Sequence, residues 1–219
     1  MPSTMIHLYL AYKINPSGCG DYFLGCLAPD YVSEYFSATS EQGKRSIHLR
    51  THLNIKFSNR RGETPTDEII RDMTLTDFYT RIDKNNPFHM GYLVHLLCDW
   101  WYYSETMKMK IFANDDEHIS EWRIVERNLR LNSPWMCDVF CKMEQHSSDL
   151  VYPIEGFGVE KVIAYKNELI SLELRQQDEQ AEKISPTILT NKFLCKLGDE
   201  IAAKYCEWVD KQSATIYTF

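Results

Sequence analysis

The sequence predicts an all-α protein on three observations. Only 9 glycines and 8 prolines occur among 219 residues, few for a chain built on tight turns. Apolar residues recur at three- and four-residue intervals over long stretches, the period of a helix face. Asn, Ser, Thr or Asp precedes proline or acidic residues where several of those stretches begin, as helix caps do. No internal repeat or low-complexity tract interrupts the pattern.

The first helix is expected over residues 3 to 14, starting near Ser3, because Ile6, Leu10 and Ile14 repeat at intervals of four. The Gly- and Pro-containing stretch 15–20 ends it. A short second helix, Asp21 to Leu27, stops at Ala28-Pro29-Asp30. A third segment, Lys44 to Leu53, holds His48 and His52. Residues 59 to 63 are polar and read as a loop. Thr64-Pro65 then reads as an N-cap with proline at the first helical position, and Asp67 and Glu68 suit the positive end of the helix dipole. This helix is expected to reach Asp83, with a break near Thr74.

Asn85-Asn86-Pro87 marks the next boundary. The helix from Phe88 to Ile111 is the most apolar in the chain and belongs at the centre of the bundle. Its aromatic run, Trp100 to Tyr103, is spread around the helix and reads as core. Asn114-Asp115-Asp116 caps a helix to Leu131, and Ser133-Pro134 starts another to His146. Residues 151–158 form a turn-rich connection, Val159 to Leu174 is helical, and Arg175 to Lys183 is a polar linker or solvated helix end. Ser185-Pro186 opens a last helix to Lys211.

The length suits one α-helical domain over 1–219. Residues 1–111 hold the candidate site, and 112–219 form a helical C-terminal half. Net charge is −7, with no dense Lys/Arg block, which argues against duplex nucleic acid as a partner. The seven cysteines include no C-x-x-C pair, so neither a disulfide framework nor a zinc ribbon is indicated. Reduced, largely buried thiols are expected, with Cys137 and Cys141 on one helix face. The N-terminus lacks a basic segment followed by an apolar stretch, and no run of about 18 apolar residues marks a membrane span. These features lead to an expectation of a cytoplasmic protein. Oligomeric state is not legible.

His95 and Asp99 carry the most chemistry. A four-residue spacing places both on one helix face, where they can reach one ion together. The same spacing also suits an ordinary His–Asp hydrogen bond. The apolar neighbours Val94, Leu96, Leu97, Trp100 and Trp101 favour the metal, because burying both groups without partners is costly.

Four segments, in order, then resemble the zinc-dependent phospholipase C family, whose wider relatives include zinc-dependent single-strand nucleases. MPSTMIH, ending at His7, resembles its N-terminal helix with a histidine ligand. YFLGCLAPD, ending at Asp30, resembles F-L-L-G-x-x-x-P-D. KRSIHL, with His48, resembles the next histidine motif. GYLVHLLCD, ending at Asp99, resembles G-x-x-x-H-x-x-x-D. The likeness covers residues 1 to about 110.

It implies a helical bundle holding up to three zinc ions, or another divalent transition metal, with two ions expected. Carried over by position, Asp30, His48, His95 and Asp99 would form one site, with Asp99 bridging to a second ion that also takes His7. The resemblance selects His48 over His52, which is left behind the site or on the surface. The second site lacks the family's N-terminal tryptophan. At the third, Glu105 stands where the family has histidine. The late H-x-x-x-E pair is missing, and His118 with Glu121 and His146 with Asp149 are spaced at three instead.

The implied activity is hydrolysis of a small phosphoester or phospholipid by a metal-activated water, with Asp30 as general base. Arg45 and Arg50 flank His48 and could meet phosphate, although solvent-exposed arginines are the simpler reading. The alternative is a helical protein with a structural metal site and no hydrolytic activity.

Overall fold

A computed structural model describes residues 4–57, 64–109, 115–132, 134–176, 186 and 188–216. It describes the side chains within them except residues 107–109, 115–119, 130–132, 172–176, 215 and 216. The described residues are helical, with no strand. The elements are α1 (Thr4–Ile14), α2 (Gly20–Leu27) running into a 3-10 turn (Ala28–Asp30), α3 (Ser33–Ser37), α4 (Glu41–Thr51), α5 (Glu68–Arg81), α6 (Pro87–Met109), α7 (Asp115–Asn132), α8 (Pro134–Glu144), α9 (Glu160–Gln176) and α10 (Asn191–Ile216). No helix among the described residues is long and apolar enough to cross a membrane.

Two helices form the centre. On α6 every side chain from Tyr92 to Tyr103 is buried, including Trp100, Trp101, Tyr102 and Tyr103. On α1 the seven residues from Met5 to Ala11 are buried. A helix buried on all sides needs neighbours all round. For α1 these are α2, α6, α7, α8 and α10, while α2 lies most extensively on α6.

The α2–α6 contact depends on glycine. A Cβ at Gly91 would overlap the Tyr22 carbonyl oxygen, and one at Gly25 would overlap the Phe88 carbonyl oxygen. The two backbones therefore touch directly, with no side chain between them. At the start of α6, Asn86 accepts from the amides of Phe88 and His89, and Pro87 occupies the first turn, where its missing N–H costs nothing.

Several boundaries differ from the sequence reading. The one-turn α3 was not expected. The α5 helix starts at Glu68, capped by Asp67, whose carboxylate accepts from Ile69 N. Thr64-Pro65 does not cap it. The Thr66 amide instead donates to the Lys56 carbonyl and its hydroxyl oxygen accepts from the Lys56 amide, which holds this stretch extended. No break occurs at Thr74, whose hydroxyl donates to Ile70 O. The last helix begins at Asn191, not near Pro186, and runs past Lys211. The Ile188 and Leu189 amides are held ahead of the helix by the buried carboxylate of Glu121. The proposed caps Ser3, Asn114, Ser133 and Ser185, and most of the linker 175–183, lie outside the described residues.

The cysteine expectation also needs correction. All seven thiols are free, but only Cys26 and Cys98 are buried.

The glycine contact gives a first prediction. Gly91→Ala forces two backbones apart in a filled core, so it should destabilise the protein by about 3 kcal/mol or more. Equilibrium urea unfolding measures this. A loss below about 1 kcal/mol would show that the helices separate freely.

Candidate metal centre

The site is assembled from the ends and middles of four helices. His95 and Asp99 stand one turn apart on α6, His7 lies on α1, Asp30 closes the 3-10 turn after α2, and His52 caps the C-terminus of α4. His7, His52, His95 and Asp99 are at most 1% exposed, whereas Asp30 is 15% and His48 30% exposed.

The His95 and His52 rings are oriented through their far nitrogens. The His95 Nδ1 donates to the Cys26 carbonyl at 2.8 Å, a bond available because Gly25 and Gly91 let the two backbones meet. The His52 Nδ1 donates to the His48 carbonyl at 2.9 Å. A carbonyl oxygen can only accept, so both Nδ1 atoms carry the proton. When neutral, each ring then presents the lone pair of Nε2. This is the usual posture of a metal-binding imidazole, with the outer N–H held by a carbonyl.

Those lone pairs converge. The two Nε2 atoms lie 3.2 Å apart. Asp99 Oδ2 is 3.4 Å from His52 Nε2 and 3.7 Å from His95 Nε2. Asp30 places Oδ1 3.6 Å from His52 Nε2 and Oδ2 3.9 Å from His95 Nε2. A tetrahedral ion with bonds of about 2.1 Å spaces its donors about 3.4 Å apart, so His52, His95 and Asp99 fit one ion, while Asp30 shares metal-ligand spacing with His48 and His52. Asp30 Oδ1 and both Asp99 oxygens are buried and lack a hydrogen bond. Two carboxylates in a nearly dry space balance the charge of one divalent cation.

The backbone around His52 is specialised. Leu53 and Asn54 follow it with φ of 55° and 59°. Two consecutive left-handed residues, one a leucine, cost about 1–2 kcal/mol each. The Asn54 amide returns to Leu49 O, and Tyr92 on α6 donates to Thr51 O at 2.5 Å. These bonds lock the end of α4 against α6 and fix the direction of the His52 ring. The Asp30 turn is held similarly by a hydrogen bond from the Tyr152 hydroxyl to the Ala28 carbonyl.

The structure thus brings His7, Asp30, His95 and Asp99 together. The His7 ring stacks on that of His95 at 3.9 Å between centroids, with its Nε2 3.5 Å from Asp99 Oδ1. The structure adds His52 to the set: it is fully buried and shares metal-ligand spacing both with His95 and Asp99 and with Asp30 and His48. His48 sits on the rim, its Nδ1 4.0 Å from Asp30 Oδ1. The signal for His52 was present in the His48–His52 spacing, but nothing in the sequence shows that the helix ends there and turns its last ring inward.

Glu105 does not join the donors. Its carboxylate meets Lys204 of α10 at 2.5 Å, and it is absent from the His/Cys/Asp/Glu groups among the described residues with metal-ligand spacing. Glu121 is committed to the backbone before α10. The side chain of His118 lies outside the described residues. His146 donates to Ser147 O and belongs to no such group. His89 bridges the Asp83 amide and the Val151 carbonyl, away from the cluster. Arg50 is exposed and lies over the Phe157 ring at 4.8 Å.

Electrostatics follow from the geometry. Burial pushes the Asp99 carboxyl up, but the imidazoles of His52 and His7 at its oxygens outweigh this and hold it well below the usual carboxylate range. Burial, joined by the charge of His7, drives His95 well below the ordinary imidazole value. Burial also works against a charged His52, yet Asp99 and Asp30 reverse the balance and raise it. Burial raises Asp30 despite His52 and His7 nearby.

No protein-family model, curated protein or solved structure matches this chain. The phospholipase C resemblance therefore stands on its motifs, and the metal reading on the donor geometry.

Two predictions follow from the centre. His52→Ala and His95→Ala should each weaken metal binding by more than about 100-fold, whereas Glu105→Ala should keep it. Metal content after dialysis decides, and full retention in His52→Ala would remove that residue from the centre. The second concerns pH. The folded pKa of His52 lies above its unfolded value of about 6.5, so its contribution to the metal-free protein is fully present below that pH. That contribution is lost as pH rises through the folded value. An ion must displace the same proton. Metal affinity should therefore fall as pH drops through that window, with proton release visible by calorimetry in buffers of different ionisation enthalpy. A pH-independent affinity between 6 and 8 contradicts this ordering.

Proposed function

We propose that this protein is a metal-dependent hydrolase acting on phosphoesters, with zinc as the resident ion. The observation that carries the reading is the convergence of the His52 and His95 lone pairs with the Asp99 carboxylate at tetrahedral spacing, with each Nδ1–H tied to a backbone carbonyl and the adjoining group of Asp30, His48 and His52 beside it. The phosphoester class rests on the order of the four sequence motifs.

Two features favour catalysis over a purely structural ion. The cluster is open on one side, where Asp30 and His48 are partly exposed while the remaining donors are sealed. A structural zinc site is normally closed by four ligands and favours cysteine. The centre also holds more donors than one ion needs, since His7 and His48 border it.

A bound divalent ion supplies positive charge that polarises a phosphoryl oxygen and acidifies water. The chain supplies the orientation. Backbone carbonyls fix the His52 and His95 rings, and the sealed α1–α6 side excludes water from behind. Asp30, on the open rim, is the group that can take a proton from an attacking water.

The experiment is a panel of nitrophenyl phosphomonoesters and phosphodiesters. Turnover should appear with metal-loaded protein, vanish with chelator and return on adding zinc. A fully loaded protein that cleaves none of them is a structural metalloprotein, and the hydrolase reading falls.

A further inference from the structure

The donors of the centre come from residues 7–99, yet one of them depends on a residue far beyond that stretch. Asp30 ends a single 3-10 turn that has no side-chain cap, and its buried Oδ1 has no hydrogen bond. The backbone of the turn therefore sets the direction of the carboxylate. The Ala28 carbonyl can accept two hydrogen bonds. The Tyr31 amide makes one at 3.1 Å, closing the turn, and the Tyr152 hydroxyl makes the other.

Tyr152 is itself firmly seated. It is buried, and its ring packs against Phe88 and Tyr92 of α6 at 6.1 and 5.4 Å between centroids and against Phe157 at 5.7 Å. The stretch that carries it is pinned at both ends. His89 accepts from the Asp83 amide at Nδ1, so its proton sits on Nε2, which donates to the Val151 carbonyl at 3.1 Å. At the other end, Gly156 turns the chain with φ of 84°, a conformation that glycine adopts without strain. Phe157 then lies beneath the Arg50 guanidinium of α4 at 4.8 Å. Residues 151–157 thus form a strap over α6, the 3-10 turn and α4, which carry His95, Asp30 and His48.

We propose that Tyr152 is a positioning residue: seated on this strap, it aims the Asp30 carboxylate at His48 and His52 by holding the Ala28 carbonyl. The proposal rests on the metal reading above and gives the C-terminal half a part in the centre. Tyr152 acts only through the turn. Asp30 Oδ1 stands 3.6 Å from His52 Nε2 and 4.0 Å from His48 Nδ1, and a rotation of this one-turn element would open both separations. Tyr22 is the natural control. It is also buried, and its hydroxyl also donates to a backbone carbonyl, that of Ala11 at 3.1 Å. Ala11 lies in the regular helix α1, not in a turn that ends in a donor.

Zinc affinity of the full-length protein, measured by competition with a chromophoric chelator, tests the assignment as a double-mutant cycle. Tyr152→Phe removes one hydroxyl and should weaken zinc binding about 10–100-fold. Asp30→Ala keeps His52, His95 and Asp99, and adding Tyr152→Phe to it should change affinity by less than about twofold. Tyr22→Phe should bind zinc as the wild type does. If Tyr152→Phe fails to fold, His89→Ala loosens the strap from outside and should weaken zinc binding only while Asp30 is present. Unchanged affinity in Tyr152→Phe overturns the proposal. So does an equal loss with and without Asp30, or a matching loss in Tyr22→Phe, because either marks a general effect on the fold. No zinc bound by the wild type overturns the metal reading, and this proposal with it.

Discussion

Asp30 and Asp99 bring two carboxylates into one largely dry space among the imidazoles of His7, His52 and His95. Unpaired ions in such a place cost several kcal/mol each, and helix packing alone does not recover that. The arrangement persists only if positive charge enters it. In the metal-free chain, the proton favoured on His52 supplies part of that charge. A divalent ion supplies it more completely, using lone pairs already aimed inward.

The surrounding fold can be understood as a mould for this cluster. The carbonyl of Cys26 reaches His95 only because Gly25 and Gly91 remove every side chain from the α2–α6 contact. The carbonyl of His48 reaches His52 only because α4 ends there, in two left-handed residues held by Tyr92 and the backbone of Leu49. The donors come from α1, α2 with its 3-10 turn, α4 and α6. An ion bound by them therefore ties four separate elements together, and binding energy becomes folding energy. The helices after α6 contribute differently. They cover α1 and α2.

That asymmetry decides the chemical character of the centre. A site sealed all round holds its ion and does nothing further. Here one carboxylate, Asp30, and one imidazole, His48, face partly outward, while Asp99 divides its oxygens between two groups of donors. A surplus of ligands beside an open edge leaves room for a substrate oxygen, which a closed four-ligand site does not.

The sequence by itself determined the all-α class, the central place of α6 and the pairing of His95 with Asp99. Helical period, caps and local burial are nearest-neighbour properties, and these elements express them directly. It also marked His7 and Asp30, through motif order. It left His52 out of the set. His48 and His52 share a spacing, and only the left-handed turn after Thr51 and the grip of Tyr92 decide that His52 points inward. Glu105 lies on the same helix as Asp99, yet Lys204, about a hundred residues later, claims it. The Glu121 carboxylate that delays the start of α10 is likewise a distant partner. Each of these outcomes was set by a contact between residues far apart in the chain. Local pattern carries no information about such contacts, and only the tertiary structure decided them.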